Sequence, residues 1–169
     1  MAHRPRLVLR PRRGRPQRLA GRGRRVRPRA GPGRRRRQPG APAVAAEVAG
    51  KAGALGFCLG GSLAYGLAAV SDPDAVVSFY GSTVPDQLDL LDRISCPLQF
   101  HFGGQDPYIP RDAVAKVEAA VAGRANIEIH VQEQAGHAFH NHVAPMFHNP
   151  EAAAAAWRLA TTFLTTHLR

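Results

Sequence analysis

The chain has 169 residues, enough for one domain, and its formal net charge of +11 is unevenly spread. Residues 1–50 hold sixteen arginines and one acid, whereas residues 51–169 hold seven basic and eleven acidic side chains, a balance of −4. Two cysteines in a chain of this length exclude a disulfide framework, and no apolar run approaches the ~18 residues that a membrane-spanning helix needs. We therefore expect a cytoplasmic protein with reduced thiols and no membrane segment.

The first 44 residues consist mainly of arginine, proline, glycine and alanine. A segment of this composition buries too little apolar surface to offset the chain entropy lost on folding, so we predict that residues 1–44 are disordered. One interpretation is an out-of-frame translation of GC-rich DNA. Another is an arm, residues 1–40, that binds RNA or DNA backbones nonspecifically through charge. A transit peptide is disfavoured because the segment has no serine and many prolines.

From residue 45 onward, apolar segments of strand length alternate with segments of helical spacing. In chain order we predict a strand at 51–57, a helix at 60–70, a strand at 74–80, a short helix within 85–94, a strand at 98–102, a helix at 111–121, a strand at 126–131 and a helix at 151–167. This alternation predicts an α/β fold, with a parallel sheet covered by helices on both faces. We assign Cys96 and Trp157 to the core.

A cysteine lies between glycines at the first strand-to-helix turn, in the sequence Gly56-Phe57-Cys58-Leu59-Gly60. Gly-x-Cys-x-Gly corresponds to a nucleophile elbow with sulfur in place of the serine oxygen, and its glycines let neighbouring chain approach closely. Cys58 would begin the following helix, whose dipole favours the reactive thiolate. The backbone N–H of Leu59 is predicted to stabilise an oxyanion. The alternative is a structural cysteine buried in a tight turn.

An aspartate and a histidine follow later strands of the predicted sheet. Asp106 comes after the third strand and His137 after the fourth, so nucleophile, acid and base stand in the chain order of α/β-hydrolases. Each residue alone could be an ordinary loop residue. Together they predict that Asp106 orients the imidazole of His137, which takes the thiol proton of Cys58 and returns a proton to the leaving group.

Other aromatic and histidine residues surround these positions. Tyr108 and Phe139 are predicted to form walls of the substrate pocket. Several histidines cluster between residues 137 and 148, but their spacing fits no common zinc pattern and no ligand cysteines accompany them. We therefore predict neither a metal site nor a cofactor.

Residues 45–169 resemble the C-terminal half of a protein of the dienelactone hydrolase (carboxymethylenebutenolidase) family. The resemblance rests on three segments, residues 56–61, 102–110 and 136–141, and on the start of the last helix. It implies an α/β-hydrolase fold truncated to about its last four strands. It also implies a triad of Cys58, Asp106 and His137 that cleaves a small-molecule ester or lactone through a thioester acyl-enzyme, without a cofactor.

Two alternatives to an active hydrolase remain open. The chain could be an inactive hydrolase fragment, or it could bind nucleic acid through its Arg-rich arm. A fold truncated before the strand at 51–57 leaves that strand as an apolar sheet edge, which favours dimerisation or aggregation. The sequence leaves the oligomeric state undetermined.

Overall fold

A computed structural model describes residues 50–169 of the chain. The predicted disorder of residues 1–44, the nucleic-acid arm and the domain boundary before residue 45 lie outside the described residues. The strands are β1 (Gly53–Phe57), β2 (Ala75–Phe79), β3 (Leu98–Gly103) and β4 (Ile127–Gln132), and the α-helices are α1 (Leu59–Ser71), α2 (Arg111–Val121) and α3 (Pro150–His167). Two short 3-10 helices, Val84–Asp86 and Leu88–Arg93, connect β2 to β3 in place of the predicted short helix.

The four strands form one parallel sheet in the order β1-β2-β3-β4. This confirms the predicted α/β fold with a parallel sheet. Because all four strands run the same way, their carboxyl ends lie along one edge of the sheet, where α/β proteins place their functional loops. Each of the other predicted strands and helices is present, and its ends agree with the prediction to within about two residues.

Helices pack against both faces of the sheet. Alternate side chains of a strand point to opposite faces. On one face, Tyr65 of α1 packs edge-on against Phe100 of β3, with ring centroids 5.5 Å apart. On the other face, Phe79 of β2 stacks near Trp157 of α3 at 6.4 Å. The sheet is therefore the middle layer, and its central strands β2 and β3 are buried throughout.

Helix α3 covers the sheet with small side chains. Its buried residues recur at a spacing of three or four and form one stripe: Ala152, Ala156, Ala160 and Phe163. The helix begins at Asn149, whose side chain accepts a hydrogen bond from the Ala152 N–H, and the next residue is Pro150, a favoured first position. The N-cap therefore fixes where this stripe meets the sheet.

The core assignment is right for Cys96 and wrong for Trp157. Cys96 is 5% exposed, whereas Trp157 is 46% exposed. Trp157 directly follows Ala156, so it lies about 100° around the helix from the buried stripe. Only one side of its ring covers Phe79, and the remainder faces outward. Within residues 50–169, no helix combines the length and the apolar character needed to cross a membrane.

Candidate active site

Cys58 lies in the turn between β1 and α1, with φ 52° and ψ −117°. A non-glycine residue rarely adopts a positive φ, and backbone strain of this kind concentrates at functional sites. The Cys58 N–H donates to the carbonyl of Phe79 at 3.0 Å, which ties the turn to the end of β2. The side chain is half-buried. The predicted elbow is therefore present, with its thiol at the carboxyl edge of the sheet.

The glycines around Cys58 differ in what they allow. A Cβ at Gly56 would overlap the backbone of Gly60, and a Cβ at Gly61 would overlap the carbonyl of Phe79. A Cβ at Gly60 would meet nothing within 4 Å. The close approach expected of the flanking glycines is thus required at 56 and at 61, one position beyond the motif's second glycine.

His137 bridges Cys58 and Asp106. Its Nε2 lies 3.1 Å from the Sγ of Cys58, and its Nδ1 lies 2.7 Å from Oδ2 of Asp106. In the tautomer with the proton on Nδ1, that N–H donates to the carboxylate oxygen and Nε2 can accept from the thiol. In sequence, Asp106 lies 31 positions and Cys58 lies 79 positions before His137, and the structure brings all three together.

Two further contacts fix the carboxylate of Asp106. Its Oδ1 accepts hydrogen bonds from the backbone N–H groups of Tyr108, at 2.8 Å, and Ile109, at 3.1 Å. The side chain is buried, at 3% exposure. With Oδ1 held by its own loop, Oδ2 stays directed at the imidazole. This contact pattern gives Asp106 the position of an orienting acid.

A glycine lets the loops carrying Asp106 and His137 approach each other. Gly103 ends β3, and a Cβ there would overlap the carbonyl oxygens of Ala135 and Gly136. The Gln105 N–H also donates to the Ala135 carbonyl at 2.9 Å. The two loops are therefore packed backbone to backbone, and this close contact sets the distance between the acid and the base.

A cavity of about 370 Å³ opens beside the thiol. It is lined by Phe57, Cys58, Tyr80, Ala138, His140 and Asn141. None of these described lining residues is an acid, a lysine or an arginine. Burial lowers the pKa of His140 to about 4, so its imidazole is neutral near pH 7. The described wall of the cavity is therefore uncharged near pH 7 apart from the thiol itself.

Tyr80 and His140 are lining residues that the sequence analysis missed. Tyr80 directly follows β2, and its φ of 38° is a second positive value at the carboxyl edge of the sheet. Burial raises the pKa of its hydroxyl, so the hydroxyl is protonated. Its position at a strand end is the same signal that identified Asp106, and it could have been used. His140 had no such signal.

The two predicted pocket walls occupy different environments. Phe139 is completely buried in the core, 5.1 Å from the ring of Tyr80, and is not among the residues that line the cavity, so its role as a pocket wall stays a prediction. The chain turns at Ala138, with φ 51°, and this turn sends the next side chain inward. Tyr108 is 65% exposed and meets the ring of His137 edge-on at 5.0 Å, but it does not line the cavity.

Leu59 begins α1 immediately after the thiol. Its backbone N–H is one of the first four of the helix, which have no acceptor within the helix itself. Its side chain is 66% exposed. Leu59 therefore has the location expected of an oxyanion donor, and that role remains a prediction. Among the described residues, no group of three or more histidine, cysteine or acidic side chains is arranged to hold a metal ion.

A parallel sheet with a cysteine elbow, and with an aspartate and a histidine at the same edge, defines the α/β-hydrolase class of protein. The dienelactone hydrolase family model matches residues 41–168. The chain belongs to the dienelactone hydrolase family.

Individual relatives agree with this assignment. The chain is 36% identical over 90 residues to a carboxymethylenebutenolidase of Pseudomonas putida, a match covering 53% of this chain and 38% of the relative. It is 32% identical to carboxymethylenebutenolidase 1 of Cupriavidus pinatubonensis, covering 58% of this chain and 42% of the relative. A solved structure, a dienelactone hydrolase-like promiscuous phosphotriesterase from metagenomic libraries, shares the fold with a TM-score of 0.61, at 22% identity, over 69% of this chain and 52% of that one. The chain thus spans about half the length, or less, of the relatives it matches.

Proposed function

We propose that this chain hydrolyses a small-molecule ester or lactone, with Cys58 as nucleophile, His137 as base and Asp106 as orienting acid. The observation that carries the proposal is the 3.1 Å contact between Nε2 of His137 and Sγ of Cys58. This distance allows direct proton transfer from the thiol to the imidazole. The chain spans about half the length of its relatives, so the proposal includes the statement that this chain itself turns over substrate.

Acylation follows from the geometry of the two side chains. His137 takes the thiol proton on Nε2 while Sγ attacks the carbonyl carbon, forming a C–S bond and an oxyanion. The Leu59 N–H, at the start of α1, donates to that oxyanion. The intermediate then collapses, the C–O bond breaks, and the departing alkoxide takes the proton from Nε2. The product on the enzyme is a thioester.

In deacylation His137 again acts first as base and then as acid, now on water and on sulfur. Water attacks the thioester carbon and gives a proton to Nε2, the C–S bond breaks, and that proton returns to sulfur as the carboxylic acid forms. In a lactone, acid and alcohol belong to one molecule, so the product is a hydroxy acid or its tautomer. Atoms and charge balance with water as the only co-reactant.

Asp106 serves both steps without reacting. Its 2.7 Å contact to Nδ1 holds the imidazole in the tautomer whose Nε2 is free for the thiol, and it stabilises the imidazolium that forms. The carboxylate is itself held by two backbone N–H groups. Reorientation of His137 would therefore require breaking this set of contacts.

A comparison of the two cysteines tests the proposal. The purified full-length chain is assayed for hydrolysis of p-nitrophenyl acetate and of an unsaturated γ-lactone, with Cys58→Ala and Cys96→Ala as matched variants. We expect Cys58→Ala to lower kcat/KM by about 1000-fold or more, and Cys96→Ala to change it by less than about threefold.

Two results would count against the proposal. Turnover that is equal in the parent and in Cys58→Ala would remove the cysteine mechanism. A folded parent with no turnover above buffer would favour the inactive-fragment alternative.

A further inference from the structure

The proposed base is carried by an irregular part of the chain. His137 belongs to the connection 133–149, which joins β4 to α3 and which the structure describes in full, without a strand or a helix. Side chains on loops are held less precisely than side chains on strands and helices. Proton transfer from Sγ of Cys58 nevertheless needs Nε2 within hydrogen-bond reach, about 3.2 Å or less. The position of the imidazole therefore needs support from the residues packed around it.

The hydrogen bond to Asp106 restrains one side of the imidazole. It holds Nδ1 of His137 at 2.7 Å from Oδ2, whereas Nε2 lies on the far side of the ring, 3.1 Å from Sγ of Cys58. A single hydrogen bond leaves the plane of the ring free to tilt, and such a tilt moves Nε2 more than it moves Nδ1. A displacement of about 1 Å at a reacting atom can cost about 100-fold in rate. The groups that limit this tilt are therefore part of the site.

Two tyrosine rings contact the imidazole of His137. The ring of Tyr80 lies 5.2 Å from it, between centroids, at an interplanar angle of 60°, and the ring of Tyr108 lies 5.0 Å from it at 69°. Edge-to-face contacts at such distances are a favoured arrangement of aromatic pairs. Tyr80 directly follows β2, and Tyr108 lies between β3 and α2. The imidazole is thus packed against rings from two separate loops, in addition to its contact with Asp106.

Tyr108 contacts the acid as well as the base. Its backbone N–H donates to Oδ1 of Asp106 at 2.8 Å, while its ring meets the imidazole of His137. The next residue, Ile109, donates to the same oxygen at 3.1 Å, and its side chain is buried at 1% exposure. The backbone of Tyr108 is therefore anchored between Asp106 and the core, so its ring projects from a fixed point. One residue thus constrains both members of the acid–base pair.

We propose that Tyr108 is a positioning residue, whose ring acts with that of Tyr80 to keep Nε2 of His137 directed at Sγ of Cys58. The proposal rests on the hydrolase function proposed above. Tyr108 is not among the described residues that line the cavity, so this role is separate from that of a substrate wall. The contact with the imidazole is made by the ring, and phenylalanine retains that ring. The role therefore belongs to the ring and not to the hydroxyl.

The kinetic test separates the ring from the hydroxyl. Tyr108→Phe keeps the ring, Tyr108→Ala removes it but keeps the backbone N–H, and Phe147→Ala removes a partly exposed ring elsewhere in the connection 133–149. With p-nitrophenyl acetate as substrate of the full-length chain, we expect Tyr108→Ala to lower kcat by about 10-fold or more, with KM within about twofold, because the same base serves acylation and deacylation. Tyr108→Phe and Phe147→Ala should leave kcat within about threefold.

A second measurement does not depend on turnover. The full-length chain is labelled with 15N-histidine, and the His137 imidazole is observed by NMR and assigned from its absence in His137→Ala. We expect the parent and Tyr108→Phe to show a low-field proton on Nδ1 that exchanges slowly with water. Tyr108→Ala should lose this signal to exchange, because the ring no longer holds Nδ1 against the carboxylate of Asp106. Tyr108→Leu replaces Tyr108→Ala in both tests if the latter lacks the parent's circular dichroism spectrum.

Three results would overturn the positioning role. A raised KM with unchanged kcat in Tyr108→Ala would mean that Tyr108 contacts substrate and not the base. Equal losses in Tyr108→Phe and Tyr108→Ala would assign the effect to the hydroxyl. A Nδ1 proton that is equally protected without the ring, or unprotected in the parent, would show that the ring does not hold the imidazole. A parent without turnover would count against the hydrolase function alone, and the NMR comparison would then decide the role of Tyr108.

Discussion

Cys58 and Cys96 carry the same side chain in two contrasting regions of the fold. Cys58 lies at the carboxyl edge of the sheet, half-buried, with a histidine nitrogen 3.1 Å from its sulfur. Cys96 lies at the opposite edge, before β3 begins, and is 5% exposed. Burial raises the pKa of the Cys96 thiol to about 11. The local backbone and the neighbouring base, rather than the thiol itself, therefore separate a candidate nucleophile from a packing residue.

The backbone makes the same distinction. Cys58 has a positive φ of 52°, whereas Cys96 is not among the described residues with a positive φ. A strained conformation at Cys58 persists because β1, α1 and the carbonyl of Phe79 hold it from three sides. A packing cysteine needs no such constraint. Position at the end of a parallel strand thus matters more than residue type.

The largest expected effect is the loss of the base. His137→Ala should lower kcat/KM by about 1000-fold, since the thiol loses its proton acceptor, and Asp106→Asn should lower it by about 100-fold or more. Steady-state kinetics on an activated ester measures both values. His142→Ala is the matched control, because His142 is an exposed histidine of the same loop region. A comparable loss in that control would break the contrast between the site and its surroundings.

A difference in alkylation rate should distinguish the two thiols directly. At pH 8, a thiol with a pKa of about 11 is thiolate in only about one molecule in a thousand. We expect iodoacetamide to modify Cys58 at least about 100-fold faster than Cys96 in the folded chain, as read from peptide masses over time. The two rates should converge in denaturant. Similar rates in the folded chain would refute the contrast.

The acid sensitivity of folding should come from two buried or half-buried histidines, one in the sheet and one lining the cavity, and not from either thiol. Burial lowers the pKa of His101 to about 3 and that of His140 to about 4. At pH 7 both are neutral in the folded and unfolded chain. Below about pH 6.5 the unfolded chain gains protons that the folded chain excludes, so stability falls as pH decreases toward 4.

The expected loss between pH 7 and pH 5 is about 2 kcal/mol for each of these histidines. Urea unfolding at the two pH values measures the loss. His140→Phe removes one titrating group in an aromatic setting and should reduce the pH-dependent part by about half. An unchanged difference in that variant would mean that His140 does not carry this effect.

The smallest expected effect concerns backbone strain. Cys58→Gly should be more stable than Cys58→Ala by about 1 kcal/mol, because glycine accepts a positive φ without strain. At Cys96 the order should reverse, with glycine less stable than alanine by about 1 kcal/mol. Thermal or urea unfolding of the four variants measures these differences. The same order at both positions would contradict the strain assigned to the elbow.

Much of the fold and the grouping of the site residues could be predicted from the sequence. Helix α2 has the predicted bounds, Arg111–Val121, because its apolar residues follow helical spacing without interruption. Cys58, Asp106 and His137 could be grouped from the sequence alone because parallel strands bring their carboxyl ends to one edge. Periodicity and strand direction suffice for both inferences.

Side-chain direction in turns was beyond that reasoning. Phe139 points into the core and His140 into the cavity because the chain turns at Ala138 with a positive φ. No local sequence pattern predicts this turn. The core assignment of Trp157 was wrong for a related reason. The width of the buried stripe on α3 depends on how closely its alanines approach the sheet. Tertiary packing decides both cases.

The proposed acyl-enzyme gives the most direct test of the cysteine mechanism. Full-length protein is mixed with p-nitrophenyl acetate, quenched in acid within the first turnovers, digested and analysed by mass spectrometry. We predict an acetyl group on the peptide containing Cys58, removed by hydroxylamine and absent from His137→Ala within the same time. Release of p-nitrophenol with no acyl group on Cys58, or with an acyl group on another residue, would contradict the account.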